Sequence, residues 1–335
     1  MKAIGYQDSL AIDAPNALMD IELPTPTASG KDILVRVEAV SVNPVDAKVR
    51  MRAGPDEGAD YKVLGWDVAG IVESTGDDVS LFKAGDKVWY AGAINRSGSN
   101  AEYHLVDERI VSKMPKSLSF TEAAALPLTS ITAYELLFHR LGLNAESTGE
   151  LLIIGASGGV GSIMVQLAKQ LTNLTVIGTT SRPETREWVK GIGADHVINH
   201  RNPLNEELKA IGFDNVPYIA SLTNTDDHMP AIIEATAPQG KIALIDDPAS
   251  FDIMPFKVKS VSVHWELMFT RSLFQTADMI EQHKLLAKVA EMVDAGQVKT
   301  TFAADFGTIN AENLIKAHAL LESGKSKGKI VLTGF

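Results

Sequence analysis

The chain has no cysteine among its 335 residues. That excludes disulfides, a thiolate nucleophile and a sulfur-ligated structural zinc site, which ordinarily takes four Cys or Cys/His ligands. Positive charge is in deficit: 31 Lys and Arg against 42 Asp and Glu leave a formal net charge of −11, with no block of like charges. An acidic field of that kind argues against nucleic acid or an anionic membrane as the main partner and leaves a small molecule. No apolar run approaches the roughly 20 residues of a membrane span, and the opening MKAIGYQDSL lacks the apolar core of a signal peptide. A cytoplasmic protein is expected. What the chain does have is a 45% apolar composition, enough for a sizeable core in two domains or one large one.

Residues 1 to about 125 carry short β-branched runs (ILVRVEAVSV, VAGIVEST, DKVWYAG, HLVDERIVS) separated by Gly, Pro, Asp and Asn. This is the texture of a mostly antiparallel β domain. From about residue 150 strands and helices alternate: LLIIGA, a helix from Val160, LTVIGTT, a helix after Pro183, HVIN, another helix, PYIAS, a helix, and KIALID. The alternation predicts an α/β architecture with a doubly wound parallel sheet. In its first helix Val160, Ile163, Met164, Leu167, Ala168 and Leu171 form one apolar stripe, which belongs to the core. The tail returns to helices (HKLLAKVAEMVDAGQ, AENLIKAHALLESGK) and two strands (TTFAADF, GKIVLTGF). The expected organisation is therefore one domain made of residues 1–125 and 268–335, with a nucleotide domain, residues 126–267, inserted into it.

LLIIGASGGVGSIMVQLAKQL sets Gly155, Gly158, Gly159, Val160 and Gly161 at the junction of an apolar strand and that helix. Glycines there permit a tight turn and close backbone approach, while free N–H groups and the helix dipole attract a pyrophosphate. The junction identifies a dinucleotide site. An acid at the end of the second strand would bind a ribose 2′-hydroxyl, but the sequence reads VIGTTSRPETR. Thr180, Ser181 and Arg182 stand there instead, and Arg beside a hydroxyl suits a 2′-phosphate. NADPH is thus favoured over NADH. The alternative makes Arg182 a solvated loop residue and Ser181 the helix N-cap ahead of Pro183. His200, after HVIN, either approaches the same phosphate or is simply half-exposed.

Those residues, with GWDVAGIVESTGDDVSLFKAGDKV, NPVDAKVR, ALPLTSITAYE and the closing SGKSKGKIVL, resemble the medium-chain dehydrogenase/reductase superfamily over almost the whole chain. The resemblance is nearest to its quinone oxidoreductase-like branch, whose members are often labelled zinc-type alcohol dehydrogenase-like. It implies a Rossmann NADPH-binding domain within a GroES-like catalytic domain. Zinc-dependent members bind the metal through a His and two Cys at positions matching Trp66, Asn43 and about Leu128. An indole N–H only donates, an amide binds weakly and leucine offers nothing, so no zinc is expected. His196 and His200 flank a short strand with no third ligand at a recognisable spacing. Trp66 would then fill the metal's place with an apolar wall, and Asp67 would keep the position of an acid that lies behind the metal in zinc-dependent relatives. The alternative is a core Trp with a turn-side Asp.

Without a metal, simple alcohol oxidation loses its main source of charge stabilisation. Quinones and α,β-unsaturated carbonyls need less help, because oriented hydrogen bonds suffice for the charge they develop. The resemblance places the nicotinamide between domains near Asn43, Trp66, Leu128 and Thr132. Asn43 is the candidate donor to the substrate oxygen and Thr132 a group near the nicotinamide, with Asp46 and Tyr61 as candidate proton sources. Trp265 and Phe269 are candidates for the pocket wall. The alternatives are an Asx turn at Asn43 ahead of Pro44, a helix cap at Thr132, core aromatics, and a proton supplied by water. The segment VKSVSVHWELMF alternates Val258, Ser260 and Ser262 against Lys259, Val261 and Val263, as a strand does. The resemblance implies that this edge pairs in a homodimer around Val261. The chain therefore reads as a zinc-independent NADPH-dependent reductase of quinones or activated double bonds. The other class is an NADPH-binding sensor or structural protein with little turnover.

Overall fold

Two-residue alternation shapes the strand Asp32–Val42. Ile33, Val35, Val37 and Ala39 are buried while Arg36 and Glu38 are partly exposed, and from Ala39 to Val42 every residue is buried. A strand covered on one face and then on both must run from the rim of a sheet into a core. In the computed structural model, which describes all 335 residues, it lies inside a seven-stranded sheet. The order is Phe302–Asp305, Lys329–Thr333, Asp32–Val42, Val68–Thr75, Lys87–Tyr90 and Val111–Lys113, with Tyr103–Asp107 also paired to Asp32–Val42. Only the first pairing is parallel. A smaller sheet orders Met19–Glu22, Lys2–Tyr6 and Lys62–Val63. The C-terminal strand meets the central one in the register Ile330↔Val42 and Leu332↔Val40. That register sets Lys329 opposite the point where the central strand gives way to Asn43.

This first unit comprises Met1–Ile131, Phe269–Gly296 and Thr300–Phe335. The second comprises Thr132–Met268 and Gln297–Lys299, so the chain changes unit inside the helix Pro127–Tyr134 and again at Met268. The sequence had set these changes after residues 125 and 267.

The second unit is a six-stranded parallel sheet in the order His196–Asn199, Thr175–Thr180, Glu150–Ile154, Val216–Ser221, Thr236–Leu244 and Ser262–Trp265. The first strand in sequence sits in the interior and later strands add on both sides of it, which is the doubly wound arrangement. Leu152, Ile154, Ile177, Ile198, Ile219, Ile242 and Leu244 share one core cluster. Each such side chain contributes roughly 1.5–3 kcal/mol on burial. The helix Gly159–Leu171 buries Ile163, Met164, Leu167 and Ala168 of the predicted stripe, while Val160 and Leu171 at its ends are partly buried. No helix is long and apolar enough to cross a membrane.

One element departs from expectation. Residues Met254–Lys259 form a 3₁₀ turn, Ser260 is left-handed at φ 52°, and the strand covers only Ser262–Trp265. Val258 and Val261 are therefore outside it. Lys259 accounts for the turn, since its ammonium donates to the carbonyls of Ile233, Glu234 and Thr236 at 2.8–2.9 Å. Three carbonyls around the end of the helix Thr225–Ala235, where helix carbonyls lack partners within the helix, hold that lysine.

Candidate active site and nucleotide turn

Asn43 closes the central strand and opens the helix Pro44–Arg52, with extended backbone and Pro44 in the first helical position. Its amide N–H donates to Asp46 Oδ2 at 2.8 Å, which satisfies one end of the helix start. The Asn43 side chain is turned to a buried acid. Its Nδ2 donates to Asp67 Oδ2 at 2.9 Å and to Ser41 O at 3.4 Å, and its Oδ1 accepts from Lys329. Both amide hydrogens are therefore committed within the protein. The expected role of donor to a substrate oxygen competes with these bonds, of which the one to the buried carboxylate is the stronger.

Asp67 is the hub of these bonds. Its Oδ2 also accepts from Ser41 Oγ at 2.8 Å and from Lys329 Nζ at 3.0 Å, and its Oδ1 accepts the Leu128 amide at 2.8 Å. Lys329 completes its own set on Val42 O at 3.1 Å. Asp67, Lys329, Ser41 and Asn43 are all buried, so a full ion pair stands in the interior with every strong donor and acceptor matched. Such a pair gives little net stability, yet removing one member strands the other at a cost of about 3–5 kcal/mol. The Leu128 bond ties Asp67 to the first turn of the helix Pro127–Tyr134, where a negative charge meets the positive end of the helix dipole.

Asp46 is the cluster's second acid and differs from Asp67. Burial pushes its carboxyl up from 3.8 to about 7; the Asn43 amide, Lys329 and the Gly65 amide pull it down, and Asp67 pushes it up. Its Oδ1 is buried and has no partner.

Trp66 is buried, donates Nε1–H to Ala93 O at 3.2 Å and meets Phe269 edge to face with ring centres 6.1 Å apart. Asn43, Asp46, Trp66, Leu128 and Phe269 thus gather in the first unit. Tyr61 adjoins the strand Lys62–Val63 and its hydroxyl joins none of these bonds. Thr132 is buried in the interior of its helix, so it is not a cap. Trp265 is 50% exposed on the outer strand of the second unit, against Phe251. Ser41 and Lys329 were not singled out in the sequence. Lys329 lies in the quoted motif SGKSKGKIVL, but its partners are 262 and 286 residues away.

Zinc does not fit the first unit's residues. The positions that carry ligands in metal-dependent relatives hold an indole facing a carbonyl, an amide spent on Asp67 and Lys329, and Leu128. No group of three or more His, Asp or Glu side chains is arranged to hold a metal ion.

The nucleotide turn follows the strand Glu150–Ile154. Gly155 is at φ +85°, and a Cβ on Gly161 would lie 2.4 Å from Gly155 O. Glycine is therefore required both for the turn and for the close contact between turn and helix. Gly158 is the N-cap of the helix Gly159–Leu171, with Val160 in its first turn. Gly155 N donates to Thr179 Oγ1 at 3.2 Å, and Thr179 Oγ1 meets His200 Nδ1 at 3.2 Å. Thr180 ends its strand buried, Ser181 is half-buried, and Arg182 rather than Ser181 is the N-cap of the helix Pro183–Gly191. Arg182 Nε pairs with Glu184 Oε1 at 3.0 Å. This cradle fits a dinucleotide: backbone approach is open at the turn, and cationic side chains follow the two neighbouring strands.

Residues 29–116 match the alcohol dehydrogenase GroES-like domain, and residues 192–332 match the family described as zinc-binding dehydrogenase. A zinc-type alcohol dehydrogenase-like protein of Staphylococcus aureus is 42% identical over 337 residues, covering 99% of both chains. The chloroplast envelope quinone oxidoreductase homolog of Arabidopsis thaliana is 31% identical, covering 94% of this chain and 93% of its own. A crystal structure described as a zinc-dependent alcohol dehydrogenase protein of Rhizobium etli superposes with a TM-score of 0.97 at 55% identity, over 100% of this chain and 98% of that one.

Proposed function

This chain belongs to the medium-chain dehydrogenase/reductase superfamily of oxidoreductases, in its quinone oxidoreductase-like branch, and we propose that it reduces quinones or α,β-unsaturated carbonyls with NADPH and without zinc. The observation that carries this reading is the Asp67–Lys329 pair with Asn43 and Trp66. Asn43, Trp66 and Leu128 stand at the positions that hold the metal in zinc-dependent relatives, and Asp67 and Lys329 match the Asn43 amide bond for bond. NADPH, when bound, supplies the hydride. Gly155, Gly158, Gly159, Val160 and Gly161 would receive its pyrophosphate, and Thr180, Ser181, Arg182 and His200 its 2′-phosphate.

The residues of the first unit then act by shape and proton supply. Asp67 and Lys329 fix Asn43 and the start of the helix that carries Leu128 and Thr132. Trp66 and Phe269 present an apolar surround that suits a planar acceptor and keeps water out. Asn43 is a positioning residue, and Thr132 remains the group assigned to the nicotinamide. Asp46 is the carboxyl that holds a proton near neutral pH, at an oxygen with no competing partner. Tyr61 is the alternative proton source. A homodimer would use the outer strand Ser262–Trp265, beside which Val258 is 88% exposed and Leu267 and Trp265 are about half exposed.

The test is NADPH oxidation with a panel of quinones and enones, before and after exhaustive chelation, with elemental analysis alongside. Turnover that survives chelation with less than stoichiometric zinc is expected. About one tightly held zinc per chain, with activity lost on its removal, refutes the reading. Tight NADPH binding with no turnover on any acceptor favours the binding protein instead.

A further inference from the structure

His200 and His228 have rings 5.6 Å apart, set edge to face, one just after the strand His196–Asn199 and the other in the first two turns of the helix Thr225–Ala235. Both are half-buried. The Thr179 hydroxyl links this pair to the nucleotide turn. Because Thr179 Oγ1 accepts the Gly155 amide, its own hydrogen is free to go to His200 Nδ1. A neutral His200 then carries its hydrogen on Nε2, away from Thr179. Burial first, then His228 and Arg201, hold His200 below its ordinary value. Burial lowers His228 as well, against the opposing pull of Asp227 and Asp246. The charged groups around the pair are Arg201 in the chain, Glu207 from the helix Leu204–Ala210, whose carboxylate accepts the Asn199 amide at 2.9 Å, and Asp227 and Asp246 near His228.

We propose that His200 and His228 form a proton-coupled reader of the cofactor's 2′-phosphate, in which binding the phosphomonoester draws one proton from solvent onto the pair. This rests on the reading of NADPH as cofactor and goes beyond it. His200 Nε2–H donates to a phosphate oxygen, and the arriving negative charge reverses the electrostatic balance that keeps the rings neutral. The added proton occupies Nδ1 of His200, where Thr179 Oγ1 has a lone pair to accept it, or the ring of His228. Gly155 keeps its bond to the same hydroxyl, so the backbone turn and the phosphate reader share one atom. NADH, with a 2′-hydroxyl, gives no such charge and draws no proton.

The sign follows. Binding raises the pKa of the pair from below 6.5, so NADPH affinity falls as pH rises through the window between the free and bound values, while NADH affinity stays flat. At pH 7.5 a phosphomonoester, with a second pKa near 6, is already almost wholly dianionic, so uptake there reports the protein. Calorimetric titration of the full chain with NADPH and NADH, at pH 7.5 in buffers of different ionisation enthalpy, tests the proposal. Net proton uptake is expected for NADPH and none for NADH. His200→Asn, which keeps an acceptor for Thr179, should abolish the uptake and weaken NADPH roughly tenfold, the scale of a charge-assisted hydrogen bond, with NADH unchanged. His228→Gln should reduce the uptake with a smaller loss of affinity. NADPH binding more tightly than NADH but without proton uptake, or with His200→Asn inert, overturns the proposal and leaves the cofactor reading standing. Equal affinity for the two nucleotides overturns both.

Discussion

The Asp67 cluster and the edge of the nucleotide sheet use opposite chemistry. Around Asp67 four donors converge on one carboxylate from Ser41, Asn43, Lys329 and Leu128, and every one is consumed inside the protein. Around Thr179 the bonds run outward: Gly155 to Thr179, Thr179 to His200, and then a half-buried ring with a nitrogen left over. A saturated network fixes a shape and resists change, whereas an unsaturated one awaits a ligand. The first surrounds Asn43 and Trp66, positions at which the resemblance places zinc ligands in metal-dependent relatives. The second keeps its demand for an anion.

Substitutions at the saturated cluster should therefore act on folding before they act on chemistry. Lys329→Met leaves Asp67 buried and uncompensated, and a loss of about 3–5 kcal/mol is expected from denaturant unfolding. Lys329→Met combined with Asp67→Leu should recover part of it, because the stranded charge is gone. If the double variant is as unstable as the sum of the singles, the pair is not coupled and the network has been misread. Asn43→Ala should cost less, about 1–3 kcal/mol, the penalty of buried partners left without a bond. A slowing specific to enones with unchanged stability would return Asn43 to the role of substrate donor.

Asp46 sharpens the contrast, since it is the cluster's one incomplete member. Its folded pKa, about 7, lies above the ordinary carboxylate value. The native state therefore holds a proton that the unfolded chain has released between pH 4 and 7. Stability from this group is present below pH 4 and is lost as pH rises through 7. Asp46→Asn removes the titration and should flatten that part of the stability curve, making the variant relatively more stable at pH 8 than at pH 5 by up to a few kcal/mol. Thermal unfolding across pH 4–8 measures it. An unchanged slope would show that Asp46 stays ionised.

What could be read in the sequence divides along the same line. The parallel sheet, its first helix and the nucleotide turn are local signals: apolar runs, a three- and four-residue stripe, glycines at one junction. The tail elements also follow from local pattern in kind and order, while their ends differ: the helix expected over 283–297 runs Glu281–Asp294 and the one over 311–325 stops at Glu322. The cluster is not local. Lys329 reaches Asp67 only because the last strand pairs with the strand Asp32–Val42, and no spacing within SGKSKGKIVL announces that. For the same reason the sequence shows Asn43 as a donor but not its partners Asp67 and Ser41: residue type gives capacity, and only the partners decide how the capacity is spent. The strand expected through Val258 failed on one side chain, Lys259, bonded to carbonyls over 20 residues upstream.

The smallest predicted effects belong to the open edge and measure how open it is. Arg182 is 29% exposed and faces Glu184, itself 61% exposed, at 3.0 Å. A phosphate arriving there competes with that carboxylate. Arg182→Ala should therefore erode the preference for NADPH over NADH by roughly 1–2 kcal/mol, toward the lower end for a charge-assisted bond, because part of the guanidinium's interaction exists before the ligand binds. Glu184→Gln should act in the opposite direction. An exposed pair is worth only about 0.2–1 kcal/mol, so removing the Glu184 charge should tighten NADPH by a few tenths of a kcal/mol, leave NADH unaffected, and lose its effect as added salt screens both charges. Binding titrations of both nucleotides at two ionic strengths distinguish the cases. If Glu184→Gln weakens NADPH, the carboxylate orients Arg182 toward the phosphate instead of competing for it, and the edge is more organised than its exposure suggests.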